Sequence, residues 1–257
     1  MKKERGNMQK INVLEINEYV NENIQSFHNA RLQSISSLNL NKILKKNPYL
    51  FKAKNINTAS NLIEGLLSAF LSSSEEKIFG DFLEGLAIFI ASKTSNGHKS
   101  SAEGIDLELI RDNKHYLISI KSGPNWGNSS QHKKLESDFS NAVRILKQSS
   151  KTPAVQPILG ICYGKTKTSY LHNYWKLVGQ NFWFFISGIE DLYTVIIEPI
   201  GFRAKEQNDL YDLEKSKIEN RFTKEFIERF CNKDFTIDWE RLVQFNSGNR
   251  DISISDI

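Results

Sequence analysis

Asp106 and Lys121 stand fifteen positions apart on a stretch that reads as a tight β-hairpin. From Asp106 to Arg111 polar and apolar residues alternate, as on a half-buried strand. Asp112-Asn113-Lys114 is turn chemistry, and His115 to Lys121 is a second run rich in β-branched and aromatic residues. Side chains two apart share a face, so Ser119 and Lys121 point together, and closure near Asn113 brings Asp106 beside them. Metal-assisted phosphodiester cleavage needs an acid and a lysine held together in this way. The acid fixes a divalent cation; the lysine orients or deprotonates the attacking water and offsets phosphate charge. The plainer alternative is a surface ion pair, which would stabilise by only about 0–1 kcal/mol.

The residues just past Lys121 suit the same chemistry. In the string SGPNWGNSSQ (122–131), Gly123 and Pro124 break the strand and Gly127 permits close backbone approach. Asn128, Ser129 and Ser130 offer an N-cap for a helix from Gln131 to about Gln148, whose N-terminal N–H groups form a phosphate site. Lys133 and Lys134 add charge in the first turn, while Leu135, Phe139, Ala142, Val143 and Leu146 form the apolar stripe. Glu136 and Asp138 fall on opposite shoulders of that stripe, so periodicity does not choose between them. Earlier in the chain, Ser73 with Glu76 reads as a capping box opening a helix over Glu75–Ala91. Glu84 lies opposite its buried face among Gly80, Ala87 and Ala91, small residues that suggest close approach by another element.

These residues carry a family resemblance. The hairpin resembles the PD-(D/E)XK nuclease superfamily, in which one acid starts a hairpin and an acid-x-Lys triplet ends it. SIKSGPNWGNSSQ (119–131), KKNPYLFKAKN (45–55) and SSSEEKIFGDFLEGLAIFI (72–90) also resemble a group of bacterial Type II restriction endonucleases, some of which cut GGNCC-type sites. The resemblance covers roughly residues 40–200. Two positions depart from the pattern: Ile105 replaces the Pro, and Ser119-Ile120-Lys121 lacks the triplet acid. Some related enzymes also carry Ser there and supply the carboxylate from the following helix, a spacing that favours Glu136; Glu84, Glu108 and Asp138 stay open. The resemblance implies a Mg²⁺ held by Asp106, the Ile120 carbonyl and Glu136, with Lys121 positioning water and Glu84 assisting. Hard oxygen ligands of this kind suit that ion. It also implies duplex DNA contacts from Asn125, Trp126, Asn128, Ser129, Ser130, Gln131 and Lys133. A homodimer, because two active sites must address two antiparallel strands, and a cognate DNA methyltransferase partner complete the expectation, in a system that defends against foreign DNA.

Composition narrows the alternatives. Mean hydropathy is −0.43, and no apolar run reaches the ~18–20 residues that span a bilayer. The basic start MKKERGNMQK is followed by no apolar signal core, so the expected location is the cytoplasm. Cys162 and Cys231 are solitary and the five histidines scattered, which argues against structural zinc. The net charge of +4 is modest, but Asn41–Lys54 holds five lysines and no acid, either a phosphate-contacting segment or a solvated helix end stopped at Pro48. Gly160 to Gly164 leaves one residue too few for a P-loop, and His132-Lys133-Lys134 with Asp138 misses the phospholipase-D spacing.

The rest must position the hairpin. Helices are expected over 11–30, 60–71, 172–186 and 206–230, strands over 156–163 and 192–199, and a polar, frayed tail from Ser247. This order argues for an α/β restriction-endonuclease-like fold, a mixed β-sheet flanked by helices with added N- and C-terminal helices. The superfamily core has a further antiparallel strand, expected within 94–103. The whole reads as one nuclease domain: a helical region to about 72, a catalytic core over about 73–200, and a helical extension over about 201–257. A structure-directed repair nuclease and a catalytically inactive DNA-binding module remain as other readings.

Overall fold

The computed structural model describes residues 8–148, 154–250 and 253. The first residues of the basic start, and the tail beyond residue 250 except Ser253, lie outside the described residues. The helices are α1 (Val13–Ser36), α2 (Leu40–Ile43), α3 (Pro48–Ala53), α4 (Ala59–Ser95), α5 (Ser129–Leu146), α6 (Gln180–Ser187), α7 (Leu192–Val195), α8 (Ile197–Ile200), α9 (Ala204–Phe230) and α10 (Trp239–Ser247). The strands are β1 (His98–Lys99), β2 (Leu107–Arg111), β3 (Lys114–Lys121), β4 (Ala154–Ile161), β5 (Ser169–Leu171) and β6 (Tyr174–Val178).

Turn chemistry sets the centre of the sheet. Asp112 and Asn113 take positive φ values of 52° and 54°, which their short side chains tolerate and two-residue hairpins require. β2 and β3 pair antiparallel, with Leu107 opposite Ile118 and Arg111 opposite Lys114. β1 is the extra antiparallel strand expected within 94–103, pairing with β2. On its other side β3 runs parallel to β4, which requires a crossover, and α5 supplies it. The mixed sheet has the order β1-β2-β3-β4-β6-β5.

The chain divides into two compact units, Met1–Phe27 with Phe79–Phe202, and His28–Ile78 with Arg203–Ile257. In the first, Ile118, Ile120 and Ile158 face Leu83, Leu86 and Ile90 of α4 together with Phe182 and Trp183 of α6. Leu117, Leu159 and Ile161 meet Leu135 and Phe139 of α5 on the opposite face. Both faces of β3 are therefore covered by helices, as the expected α/β class requires. The second unit is helical: Leu62, Ile63 and Leu67 share a core with Leu40, Ile43, Phe51, Ile218, Phe222 and Phe226. Among the described residues no helix is long and apolar enough to cross a membrane.

Several local expectations are corrected. Ser73 caps nothing: α4 is continuous, and the Ser73 hydroxyl donates to the Ala69 carbonyl (3.1 Å), a back-bond that a helix interior accommodates. The aromatic segment from 172 is not one helix. Gly179, at φ 55°, separates strand β6 from α6, and Trp175 pairs with Ile158. Residues 192–199 are helical turns rather than a strand, because Leu192 and Ile196, four apart, both turn into the core. Asn47 ends no helix; it opens α3, its side chain accepting from the Tyr49 and Leu50 N–H groups.

Phe139 is fully buried between α5 and the sheet. Phe139→Ala should lower unfolding free energy in urea by about 3–5 kcal/mol; a loss below about 1 kcal/mol would contradict this packing.

Candidate active site

The β2–β3 ladder ends at the Leu107–Ile118 pair. Beyond it a side chain takes over. Asp106 Oδ2 accepts from the Ile120 N–H (2.5 Å) and from the Ser119 hydroxyl (3.3 Å), while the Asp106 N–H donates to the Ile118 carbonyl (2.9 Å). Lys121 Nζ lies 3.8 Å from the same Oδ2, an ion pair too long for a direct hydrogen bond. The ammonium therefore keeps its donors for other acceptors. No hydrogen bond from the described residues reaches Asp106 Oδ1.

The loop entering Asp106 is clamped from two sides. Ser100 donates through its backbone to the Asp106 carbonyl (3.2 Å) and through its hydroxyl to Glu108 Oε1 (2.5 Å). His115 Nε2 lies 2.8 Å from the other Glu108 oxygen. From α5, Lys134 bridges Glu103 (2.9 Å) and Asp138 (3.4 Å). Gly104, at φ 75°, lets the loop pass the Asp138 carboxylate, into which a Cβ would run. Glu108 and Asp138 thus hold the loop: Glu108 bonds Ser100 and His115, and Asp138 bonds Lys134, rather than Asp106 or Lys121.

Glu84 arrives from α4. One turn before it, Gly80 lies by the end of β3, where a Cβ would sit 3.6 Å from that of Ser122, an ordinary van der Waals contact. Glu84 pairs with Lys99 of β1 at 3.4 Å. Cys162, just past β4, donates its N–H to the Lys121 carbonyl (2.9 Å). Its thiol is pushed up to about 12 by burial, reinforced by the Glu84 and Asp106 carboxylates and opposed by Lys121. Cys162 belongs to no sequence motif.

The spacing-based expectation for Glu136 fares differently. Glu136 lies 3.6 Å from His172 and adds to the upward shift of Tyr174, which burial dominates. Among the described residues no ion pair or hydrogen bond joins it to Asp106 or Lys121. Leu135 and Phe139 fix the buried stripe of α5 and direct this shoulder toward β5 and β6.

The loop after Lys121 lies against the start of α5. Asn128 accepts from the Ser130 and Gln131 N–H groups (3.1 Å each), and Gln131 reaches back to the Asn128 N–H (2.8 Å), a complete capping box. Two of the N–H groups expected to meet phosphate are thereby engaged. Asn125, Ser129, Ser130 and Lys133 are exposed; Trp126 lies against His132 (4.6 Å between rings), with Lys121 Nζ 5.8 Å from its centroid. Tyr163, exposed, donates its N–H to the Ser122 carbonyl (3.0 Å) and joins this rim. Its place depends on the β3–β4 register, which no local pattern announces.

Among the described residues no three His, Cys, Asp or Glu side chains gather as a metal cage. Residues 14–208 match the family model described as Type II restriction endonuclease EcoO109I, a span that contains the whole hairpin and α4–α6. No curated protein matches the chain.

Gly104→Ala should cost about 1–2 kcal/mol from the left-handed backbone alone, read by urea unfolding, with a further loss of cleavage as Asp138 is displaced. In folded protein Cys162 should resist alkylation at pH 9 and react on denaturation, since its thiol ionises only near pH 12. Rapid native labelling, located by peptide mass, would contradict its burial beneath the site.

Proposed function

We propose that this chain, which belongs to the family of the Type II restriction endonuclease EcoO109I, cleaves duplex DNA at a defined sequence in a Mg²⁺-dependent reaction. Asp106, Lys121 and Glu84 are its reacting side chains. The observation that carries this assignment is the 3.8 Å approach of Lys121 to Asp106 at the end of β3.

The donor set fits a hard cation. Asp106 Oδ1 is clear of the described hydrogen bonds, and we assign Glu84 as the second carboxylate. Mg²⁺ is commonly held by one or two carboxylates with substrate phosphate and water, not by an all-protein cage. Asp106 and Glu84 would hold it, with the Ile120 carbonyl as a further oxygen; when bound it lowers the pKa of a ligated water and offsets phosphate charge. Lys121 orients the attacking water and donates to a non-bridging phosphate oxygen. The water oxygen bonds to phosphorus in line, the bond to the 3′ oxygen breaks, and that oxygen takes a proton, leaving a 5′-phosphate. Ser119 holds Asp106 where the superfamily triplet would place a second acid, and Glu84 takes over that charge from the facing helix. Glu136, turned to His172, stays outside the reacting group.

Trp126, Tyr163 and the exposed side chains Asn125, Ser129, Ser130 and Lys133 form the DNA-facing rim. Asn128 and Gln131 act by capping α5. A homodimer reading a two-fold GGNCC-type site, protected in the host by a methyltransferase, is the corresponding biological setting, a cytoplasmic defence against foreign DNA.

Asp106→Ala and Lys121→Ala should each lower cleavage roughly 10²–10⁴-fold or more while duplex binding without divalent metal is retained. EDTA should abolish cutting. Glu84→Ala should fall with them and Glu136→Ala stay near wild type; the reverse order would move the second carboxylate to α5. Sequencing plasmid fragment ends completes the test: discrete ends identify a site, whereas a smear, branched-only cutting or binding without cutting would refute the specific-endonuclease reading.

A further inference from the structure

The lysine-rich segment lies outside the Asp106–Lys121 site. It belongs to the helical unit, and its surroundings distinguish it from an ordinary solvated surface. Positions 23–63 contain no Asp or Glu, although the chain carries 30 of them. Within that stretch Lys42, Lys45, Lys46, Lys52 and Lys54 fall in thirteen residues. Several lysines elsewhere meet acids: Lys93 with Glu15, Lys99 with Glu84, Lys134 with Glu103, Lys217 with Glu214, Lys224 with Glu228. None of the five has such a partner among the described residues. The acids on packed neighbours are engaged elsewhere: Glu225 with Arg229, Asp238 with Arg241, Glu240 with Gln244.

The segment is also rigidly held. Leu40, Ile43, Leu44 and Phe51 are buried in the helical core. Asn39 accepts from the Lys42 N–H (3.0 Å), and the Asn246 amide donates to the Leu44 carbonyl (2.6 Å). Lys52 Nζ stands 5.2 Å over the Trp239 ring and Lys54 Nζ 5.5 Å over Phe51. Tyr49, 63 % exposed, lies between the two lysine groups. The charges are thus presented on packed short helices and not on a loose tail. Fixed, uncompensated cations of this density suit a polyanion whose charges recur at short intervals.

We infer that Lys42, Lys45, Lys46, Lys52 and Lys54 form a second duplex-binding surface on the helical unit. It contacts phosphates without reading bases and holds DNA outside the cleavage site. The inference rests on duplex DNA being the substrate. Each phosphate contact on B-DNA releases counterions and contributes about −0.9 to the slope of log K against log salt.

The test uses the full chain with all five lysines changed to Gln, and a second version with all five changed to Arg. Binding to a duplex lacking any cleavage site is measured without divalent metal across a salt series. The Gln version should bind at least about tenfold more weakly at about 100 mM salt, with a slope shallower by roughly 3 or more. The Arg version should restore both, and single-turnover cleavage at saturating protein should be unchanged in each. Equal affinity and slope in wild type and Gln version would overturn the inference, as would loss of binding in the Arg version. Wild type failing to bind duplex at all would instead overturn the functional reading on which it rests.

Discussion

The site depends on one substitution of partners: where the ladder between β2 and β3 stops, the Asp106 carboxylate becomes the acceptor for the Ile120 N–H. A buried backbone donor must find an acceptor or bear a desolvation penalty of about 1–3 kcal/mol. Asp106 is therefore a structural member of the sheet. Its Oδ2 is fixed by the strand it serves, which leaves its other oxygen clear of the described hydrogen bonds. The clamps around Ser100, Glu108, Lys134 and Asp138 serve the same end, because any slack in the entering loop would loosen that hold on Asp106.

Ser119 illustrates how a departure from a family pattern can be absorbed. In place of a second carboxylate on β3, a hydroxyl donates to the first. Two carboxylates sharing that corner of the sheet would repel, and one would be driven to hold its proton. Bringing the second negative charge from α4 keeps the carboxylates on separate elements, and Lys99 offsets Glu84. The cost is that the geometry depends on how closely a helix approaches a strand end.

Much of this was legible in the sequence and some was not. The hairpin was, because its signals are local: turn residues that accept positive φ, alternation before them and a β-branched and aromatic run after them. Asp106 and Lys121 follow from that register alone. The extent of α4 was hidden because Ser72–Ser74 look like a boundary, yet serine hydroxyls bond back within a helix as readily as they cap one. β6 was hidden because Tyr174 and Trp175 sit where a helical period also fits, and only pairing with β4 decides. Glu136 has a family-like spacing and lies 3.6 Å from His172, a contact that spacing along the chain does not record. The bond from the Cys162 N–H to the Lys121 carbonyl is a tertiary fact: it needs the crossover through α5, and no short window of sequence contains both.

The parallel pairing of β3 with β4 also bears on the order in which the molecule becomes active. Asp106 and Lys121 share a hairpin that can close as soon as it is synthesised, but a lone two-stranded ribbon is marginal in water. The Lys121 carbonyl receives its bond from Cys162, forty-one residues later, after an entire crossover helix. A chain still leaving the ribosome thus carries Asp106 and Lys121 without the neighbour that holds them in register.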